Sequence, residues 1–377
     1  MSPTGRQNAT IISLRFKPGL KKYFGLIGEN LRRKGIAVTY LLASGYADIE
    51  GDLAGAVNIV AAQDLKGILR ETAAFLFKPG TRIDRLFAAP PAFICFFNPH
   101  PLNLFFARRL RRRYPRALIS VFLHEPFMPD KACFGMRRAV LIHTVEYVQA
   151  LVMRFVGTVI APSDYALHKI RVRFPKFKGA VQVAPLLTPD SFKPEPRRPT
   201  HFAMVGMANN ATGHDDFFRF VNSVAARDKD YRFVVISSSN LSKYAAQLRE
   251  EARGLVTFIN KKIIHDGEIN DVIRRSYAVL RFDKGLTQSA VLVDAFMNGS
   301  TVIARDIPGL RQHIRHKENG YLLPYHFNNE DVWEATEFVK AHHAELSTQA
   351  RRDFENIWAE DNFERYYRWL LDYFERV

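Results

Sequence analysis

Three stretches of this 377-residue chain combine residue types and spacings that could carry chemistry. The first spans residues 277–323. Its apolar run at 278–282 is short enough for a buried parallel strand, and the polar loop 283–288 follows, with Lys284, Thr287 and Gln288. From Ser289 the apolar residues Val291, Leu292, Ala295 and Phe296 recur at helical spacing, with Ser289 placed to cap this helix and Asn298-Gly299 to stop it. A strand over 301–304 completes a βαβ unit. Such a unit sets its loop and helix N-terminus at the carboxyl edge of a sheet, where unpaired backbone N–H groups favour anions. The second stretch has the same grammar: a strand over 201–205, the loop Gly206 to His214 containing Thr212 and Gly213, and a helix from about Asp215.

The third group lies in the first half. The buried strand expected over 92–97 ends in Asn98-Pro99-His100-Pro101, and the one over 117–123 ends in His124-Glu125-Pro126. A histidine at the tip of a parallel strand is placed either for cleft chemistry or as a hydrogen-bonded structural residue, and both readings stand here. The strand over 10–15 leads into Lys17-Pro18-Gly19, a turn, and a helix ending in Arg32-Arg33-Lys34-Gly35 before a strand over 36–42.

These loops need two α/β frames to hold them. The length suits two domains, and the proline-rich stretch 193–199 reads as the linker between residues 1–196 and 199–350, with the aromatic segment 354–377 needing a surface to cover. No segment approaches the roughly 20 apolar residues of a membrane span. The best candidate, 139–161, is interrupted by His143, Glu146, Gln149 and Arg154 and reads as an amphipathic helix followed by a strand. The N-terminus lacks the shape of a signal peptide, and two isolated cysteines, Cys95 and Cys133, suit a reducing compartment, so a cytoplasmic location is expected. Charge is unevenly spread. Residues 1–196 hold 29 Lys and Arg against 13 Asp and Glu, a surplus of 16, whereas residues 197–377 hold 25 of each. The first half therefore calls for an anionic partner, either a membrane surface or a nucleic acid.

The stretch 277–323 resembles the nucleotide-sugar-binding segment of family 4 glycosyltransferases of the GT-B fold, through Asp294-Ala295, Gly299, Val302-Ile303, Pro308-Gly309 and Asn319-Gly320. The resemblance implies two Rossmann-like domains facing a cleft, with the last helix crossing back to the first domain. It implies donor contacts at Gly206, Thr212, Gly213, Lys284, Thr287, Gln288, Ser289 and Asp294, the last on the ribose hydroxyls. His124 would be the catalytic position near the donor sugar, with Gly19, His100 and Glu125 on the acceptor side of the cleft. The chain also departs from the family. The first of the family's two glutamates falls at Leu286, and the Arg and Lys that usually reach the diphosphate fall at Met207 and Thr212. Phosphate binding would then lean on backbone N–H groups and on Arg281, Lys284, Lys261 or Lys262, each of which by itself reads as an ordinary surface charge.

The expected activity is transfer of a sugar from a nucleotide-sugar donor to a saccharide or lipid-linked saccharide in cell-surface polysaccharide synthesis. No metal or other cofactor is expected, and the basic half would meet the inner face of the membrane. A GT-B-shaped binding protein without catalysis is the alternative suggested by Leu286, Met207 and Thr212. Nucleic-acid binding is disfavoured, since the arginines sit on no recognisable nucleic-acid module.

Overall fold

A computed structural model describes residues 7–48, 53–62, 65–77, 86–87, 89–125, 136–193, 198–209 and 211–377. Cys133, Pro126 and linker residues 194–197 lie outside these. The described residues divide into two compact units, one containing those up to Pro189 together with Glu360–Val377, the other Asp190–Ala359.

The first unit is built on seven parallel strands: β1 (Asn8–Ser13), β2 (Ala37–Ala43), β3 (Ala56–Val60), β4 (Phe93–Phe97), β5 (Leu118–Phe122), β6 (Thr158–Ala161) and β7 (Ala180–Val183). Their order, β3-β2-β1-β4-β5-β6-β7, reverses between β1 and β4. β4 reads Phe-Ile-Cys-Phe-Phe and is buried throughout, as a strand covered on both faces must be. Beside it, helix Lys21–Arg33 buries Tyr23, Phe24, Ile27 and Leu31 at helical spacing. Helix Pro101–Arg113 starts with proline at its first position, where the missing N–H costs nothing, and buries Leu102, Phe106, Ala107 and Leu110.

The terminal helix Phe363–Arg376 belongs to this unit and buries Phe363, Tyr367, Leu370, Leu371 and Phe374. Trp369 and Phe374 meet the ring of Phe93 edge-on, and Tyr373 donates its hydroxyl proton to the Ala92 carbonyl at 2.9 Å. The aromatic segment expected as one run over 354–377 is in fact two elements. Helix His343–Ile357 ends just before Trp358, which is buried in the core of the second unit, and only the residues from Phe363 onward cover the first sheet.

The second unit has six parallel strands: β8 (His201–Val205), β9 (Phe233–Ser237), β10 (Val256–Asn260), β11 (Ser276–Arg281), β12 (Thr301–Arg305) and β13 (Tyr321–Leu323). They are ordered β10-β9-β8-β11-β12-β13, again with one reversal, between β8 and β11. Alternate residues of β8 feed different cores. Phe202 and Met204 pack with Phe217, Phe220 and Phe233 on one face, and Ala203 and Val205 with Val293, Phe296 and Trp358 on the other. Several strand limits move from their sequence expectation. The strand expected over 10–15 lies at Asn8–Ser13, and β7 stops at Val183, short of Pro185, which has no N–H to continue a ladder. The strand expected over 278–282 opens earlier, at Ser276, directly after helix Asp266–Arg274 and Arg275.

Candidate functional site

In an open parallel sheet the crevice beyond the carboxyl ends of the strands opens where the strand order reverses. In the second unit that point lies between β8 and β11, and both loops singled out in the sequence leave from it. Gly213 takes a left-handed φ of 73°, and a Cβ there would fall 2.3 Å from the Phe282 carbonyl oxygen. Only glycine lets the Gly206 to Gly213 loop close on the end of β11. The Lys284 N–H donates to the Ala211 carbonyl at 2.8 Å and ties the two loops together. The other side of the 283–288 loop rests on Gly309, where a Cβ would come within 2.2 Å of the Leu286 carbonyl oxygen.

The polar triplet on this loop is buried: Thr287, Gln288 and Ser289 are at most 5% exposed. Burying three polar side chains in succession is costly unless their groups are engaged. Ser289 Oγ accepts from the Leu292 N–H at 3.1 Å, capping helix Ala290–Met297. Gln288 Oε1 lies 3.2 Å from His313 Nε2, and the Thr287 carbonyl accepts from Gln312 Nε2 at 3.1 Å. Asp294 stands half-buried one turn into the same helix, while Lys284 is exposed.

Arg281, read from sequence as an ordinary surface charge, is instead buried. Its Nη1 donates to the Val205 carbonyl at 3.0 Å, bridging the ends of β8 and β11, and its Nη2 lies 2.8 Å from Asp283 Oδ2. Behind it Arg305 pairs with Asp216 at 2.6 Å and donates to the Phe282 carbonyl. Burial raises the Asp283 carboxyl above its usual range, opposed by the charges of Arg281 and Arg305. The Arg305–Asp216 pair and the Arg281 bond to Val205 were not legible in the sequence because the partners are 89 and 76 positions apart and meet only through the fold. The strand-end position of Arg281 was the available signal.

The two helix N-termini are not equivalent. Helix His214–Val224 carries Asp215 and Asp216 in its first turn, which oppose an anion there, whereas helix Ala290–Met297 has no acid in its first turn. Thr212 Oγ1 accepts from the Asn209 N–H at 2.9 Å, donates to the Asn209 carbonyl at 2.8 Å and stands 2.9 Å from His214 Nδ1, so its hydroxyl closes the loop. Lys261 pairs with Glu268 on the following helix.

In the first unit the corresponding edge lies beyond β1 and β4. The Tyr46 hydroxyl gathers it, accepting from the Lys17 N–H at 3.0 Å and lying 3.1 Å from Ser13 Oγ and 3.0 Å from the Arg15 carbonyl. Asn98, at a φ of 64°, donates to Ser13 Oγ at 3.0 Å. His100 is buried and caps helix Pro101–Arg113, its Nδ1 accepting from the Leu102 N–H at 3.2 Å. Burial, helped by the charge of Arg15, pulls its pKa down to about 4. His124 is partly exposed as a residue, but its Nδ1 is enclosed; burial, and then Lys17, lower its pKa to about 3. Glu125 is partly buried beside it, within electrostatic reach of Lys17 and Tyr165, and Gly19 is exposed on the turn after β1.

This geometry has known counterparts. Residues 199–339 match the family model described as glycosyl transferases, group 1. The chain shares the GT-B fold. Sucrose-phosphate synthase from Thermosynechococcus elongatus superposes with a TM-score of 0.76 at 16% identity, over 97% of this chain and 100% of that one. Anabaena HepE, solved with UDP, gives 0.71 at 13% identity over 97% and 100%. The pneumococcal O-GlcNAc transferase GtfA, solved with UDP and GlcNAc, gives 0.72 at 9% identity over 98% and 99%. No curated protein matches the chain by sequence. At these identities the likeness to GT-B glycosyltransferases establishes the fold.

Proposed function

We propose that the protein is a glycosyltransferase that moves a sugar from a nucleotide-sugar donor, held by the second unit, to a saccharide or lipid-linked saccharide acceptor held by the first. The observation that carries this reading is the buried Thr287-Gln288-Ser289 triplet at the N-terminus of an acid-free helix, set at the strand-order reversal of the unit that matches group 1 glycosyl transferases. The Gly206 N–H expected to bind phosphate is instead taken by the Ile236 carbonyl at 3.0 Å, so in this reading the helix N-terminus, the backbone N–H of Gly213 and Lys284 stabilise the leaving diphosphate, with no metal required. Asp294 accepts from the ribose hydroxyls, and Gln288 and Ser289 contact the sugar or the diphosphate.

His124 has a pKa near 3 and stays neutral at physiological pH. It is therefore better suited to hydrogen-bonding a sugar hydroxyl than to taking up a proton for the reaction. UDP is the first nucleotide to try, since it is the one bound in HepE and GtfA. A thermal-shift screen of the full chain with UDP, GDP, dTDP and CDP tests the reading, because a ligand that binds the native state raises its melting temperature. A clear upward shift with one of them is expected; none with any would remove the donor site. Donor binding without sugar transfer or donor hydrolysis would favour the non-catalytic alternative.

The place of action is proposed on charge. Among the described residues no helix is long and apolar enough to cross a membrane. Arg108, Arg112, Arg113 and Arg116 are exposed on and after helix Pro101–Arg113 and suit an anionic cytoplasmic leaflet.

A further inference from the structure

Among the described residues, the carboxyl edge of the first sheet holds more positive than negative charge at one place. Arg15 and Lys17 follow β1, Lys21 opens the next helix with its Nζ donating to the Tyr46 carbonyl at 3.2 Å, and Glu125 is the carboxylate whose charge reaches Lys17. Lys17 is partly buried, and the backbone on which it sits is fixed through its N–H bond to Tyr46. Burial and the charge of Arg15 both lower the Lys17 ammonium pKa, and Glu125 only partly offsets them. Burial thus disfavours the charged form of Lys17, and a bound anion would favour it.

His100 supplies a second, independent sign of a missing ligand. Its Nδ1 accepts from the Leu102 N–H, so Nδ1 carries no proton, and in the neutral ring the proton is on Nε2. That Nε2–H is buried and has no acceptor among the described residues, in a residue only 3% exposed. A buried donor left unpaired is costly, and an oxygen ligand would recover that cost. His124 Nδ1 and Asn98 Oδ1 are likewise enclosed without a partner among the described residues, so the same edge offers further contacts to hydroxyl groups.

We propose that Arg15, Lys17 and the Nε2–H of His100 form an anion subsite on the first unit, and that the acceptor carries a phosphate or carboxylate which this subsite binds. This rests on the acceptor role given above to the first unit and specifies the acceptor's class: a charged saccharide rather than a neutral one.

The test uses the full chain saturated with UDP, so that the donor side is already filled. Calorimetric titrations with glucose 6-phosphate, glucuronate and glucose separate a phosphate, a carboxylate and a neutral sugar. Two variants probe the subsite: Lys17→Met keeps the stem without the charge, and His100→Asn keeps a side-chain acceptor for the Leu102 N–H while deleting the Nε2–H donor. One of the two charged sugars is expected to bind at least tenfold more tightly than glucose, and each variant to lose about tenfold of that preference while UDP affinity is unchanged. Equal binding of all three sugars, no binding of either charged sugar, or variants that keep the wild-type preference would overturn the subsite. Failure of UDP, GDP, dTDP and CDP alike to bind would instead strike the glycosyltransferase reading.

Discussion

His313 Nε2 faces Gln288 Oε1 at 3.2 Å, so a ring from beyond β12 orients the amide at the tip of the candidate donor loop. Burial lowers the His313 pKa to about 4, so the ring is neutral, and an acceptor oxygen opposite Nε2 places its proton there. The same ring packs edge-on against Trp358 at 5.0 Å. His313→Phe keeps that packing and removes the hydrogen bond. The expected result is a donor KM raised about fivefold, as suits a net contribution of about 1 kcal/mol, with kcat within twofold of wild type. Steady-state kinetics over donor concentration checks it, and a loss confined to kcat would show that His313 does not position Gln288.

Backbone contacts at the loops make a sharper stability prediction. Gly213→Ala must place a Cβ 2.3 Å from the Phe282 carbonyl at a left-handed φ, and Gly309→Ala one 2.2 Å from the Leu286 carbonyl. Each should cost roughly 2–4 kcal/mol in urea unfolding. At Gly19 a Cβ would meet nothing within 4 Å, so Gly19→Ala should be neutral or stabilising by up to about 1 kcal/mol. Comparable losses at all three positions would contradict the packing described.

Acid should weaken the fold before the carboxylates titrate. Burial lowers the pKa of His100, His214 and His313 to about 4 and that of His124 to about 3, against about 6.5 in an unfolded chain. As pH falls below about 6.5 the unfolded chain takes up protons that the native state refuses. Stability is therefore complete above that pH and is lost towards pH 4, at roughly 1.4 kcal/mol per pH unit for each such histidine. Urea unfolding at pH 7.5, 6.5 and 5.5 should show the decline, and His313→Phe should flatten it by one proton. A flat profile, or an unchanged slope in the variant, is the contrary result.

The basic face separates into structural and solvent-facing arginines. Arg111 hydrogen-bonds the Phe155 carbonyl at 3.1 Å, Pro115 at 3.1 Å and Ala117 at 3.2 Å, so Arg111→Glu should unfold or strongly destabilise the first unit. Arg108, Arg112 and Arg116 are exposed, and changing all three to Glu should leave the melting temperature within a few degrees. Co-sedimentation with anionic liposomes should fall sharply in the triple variant, since each basic residue near the surface is worth about 1 kcal/mol, and should vanish for wild type in high salt. Equal binding to neutral liposomes, or tighter binding to DNA at the same salt, would count against the membrane.

Much of the frame was legible because buried parallel strands leave continuous apolar runs. β8 falls on the expected residues, and the Ser289 cap is where the change of periodicity put it. What escaped was short or exposed. β3 is an edge strand with Ala56, Val57 and Asn58 exposed, and β13 has three residues, too few to show a period. Side-chain roles were harder still. Nothing local marks Arg305 as the partner of Asp216 or Arg111 as bound to the Phe155 carbonyl, since both depend on chain segments that only the fold brings together.

The central claim is that the second unit holds the nucleotide of a sugar donor, and calorimetry of the full chain with UDP tests it most directly. The account predicts saturable one-to-one binding, weakened at least tenfold by Asp294→Asn, which removes a charged acceptor worth roughly 1.5–3 kcal/mol, and much less by Leu286→Ala. No saturable heat with UDP, GDP, dTDP or CDP, or equal binding by wild type and Asp294→Asn, would contradict it.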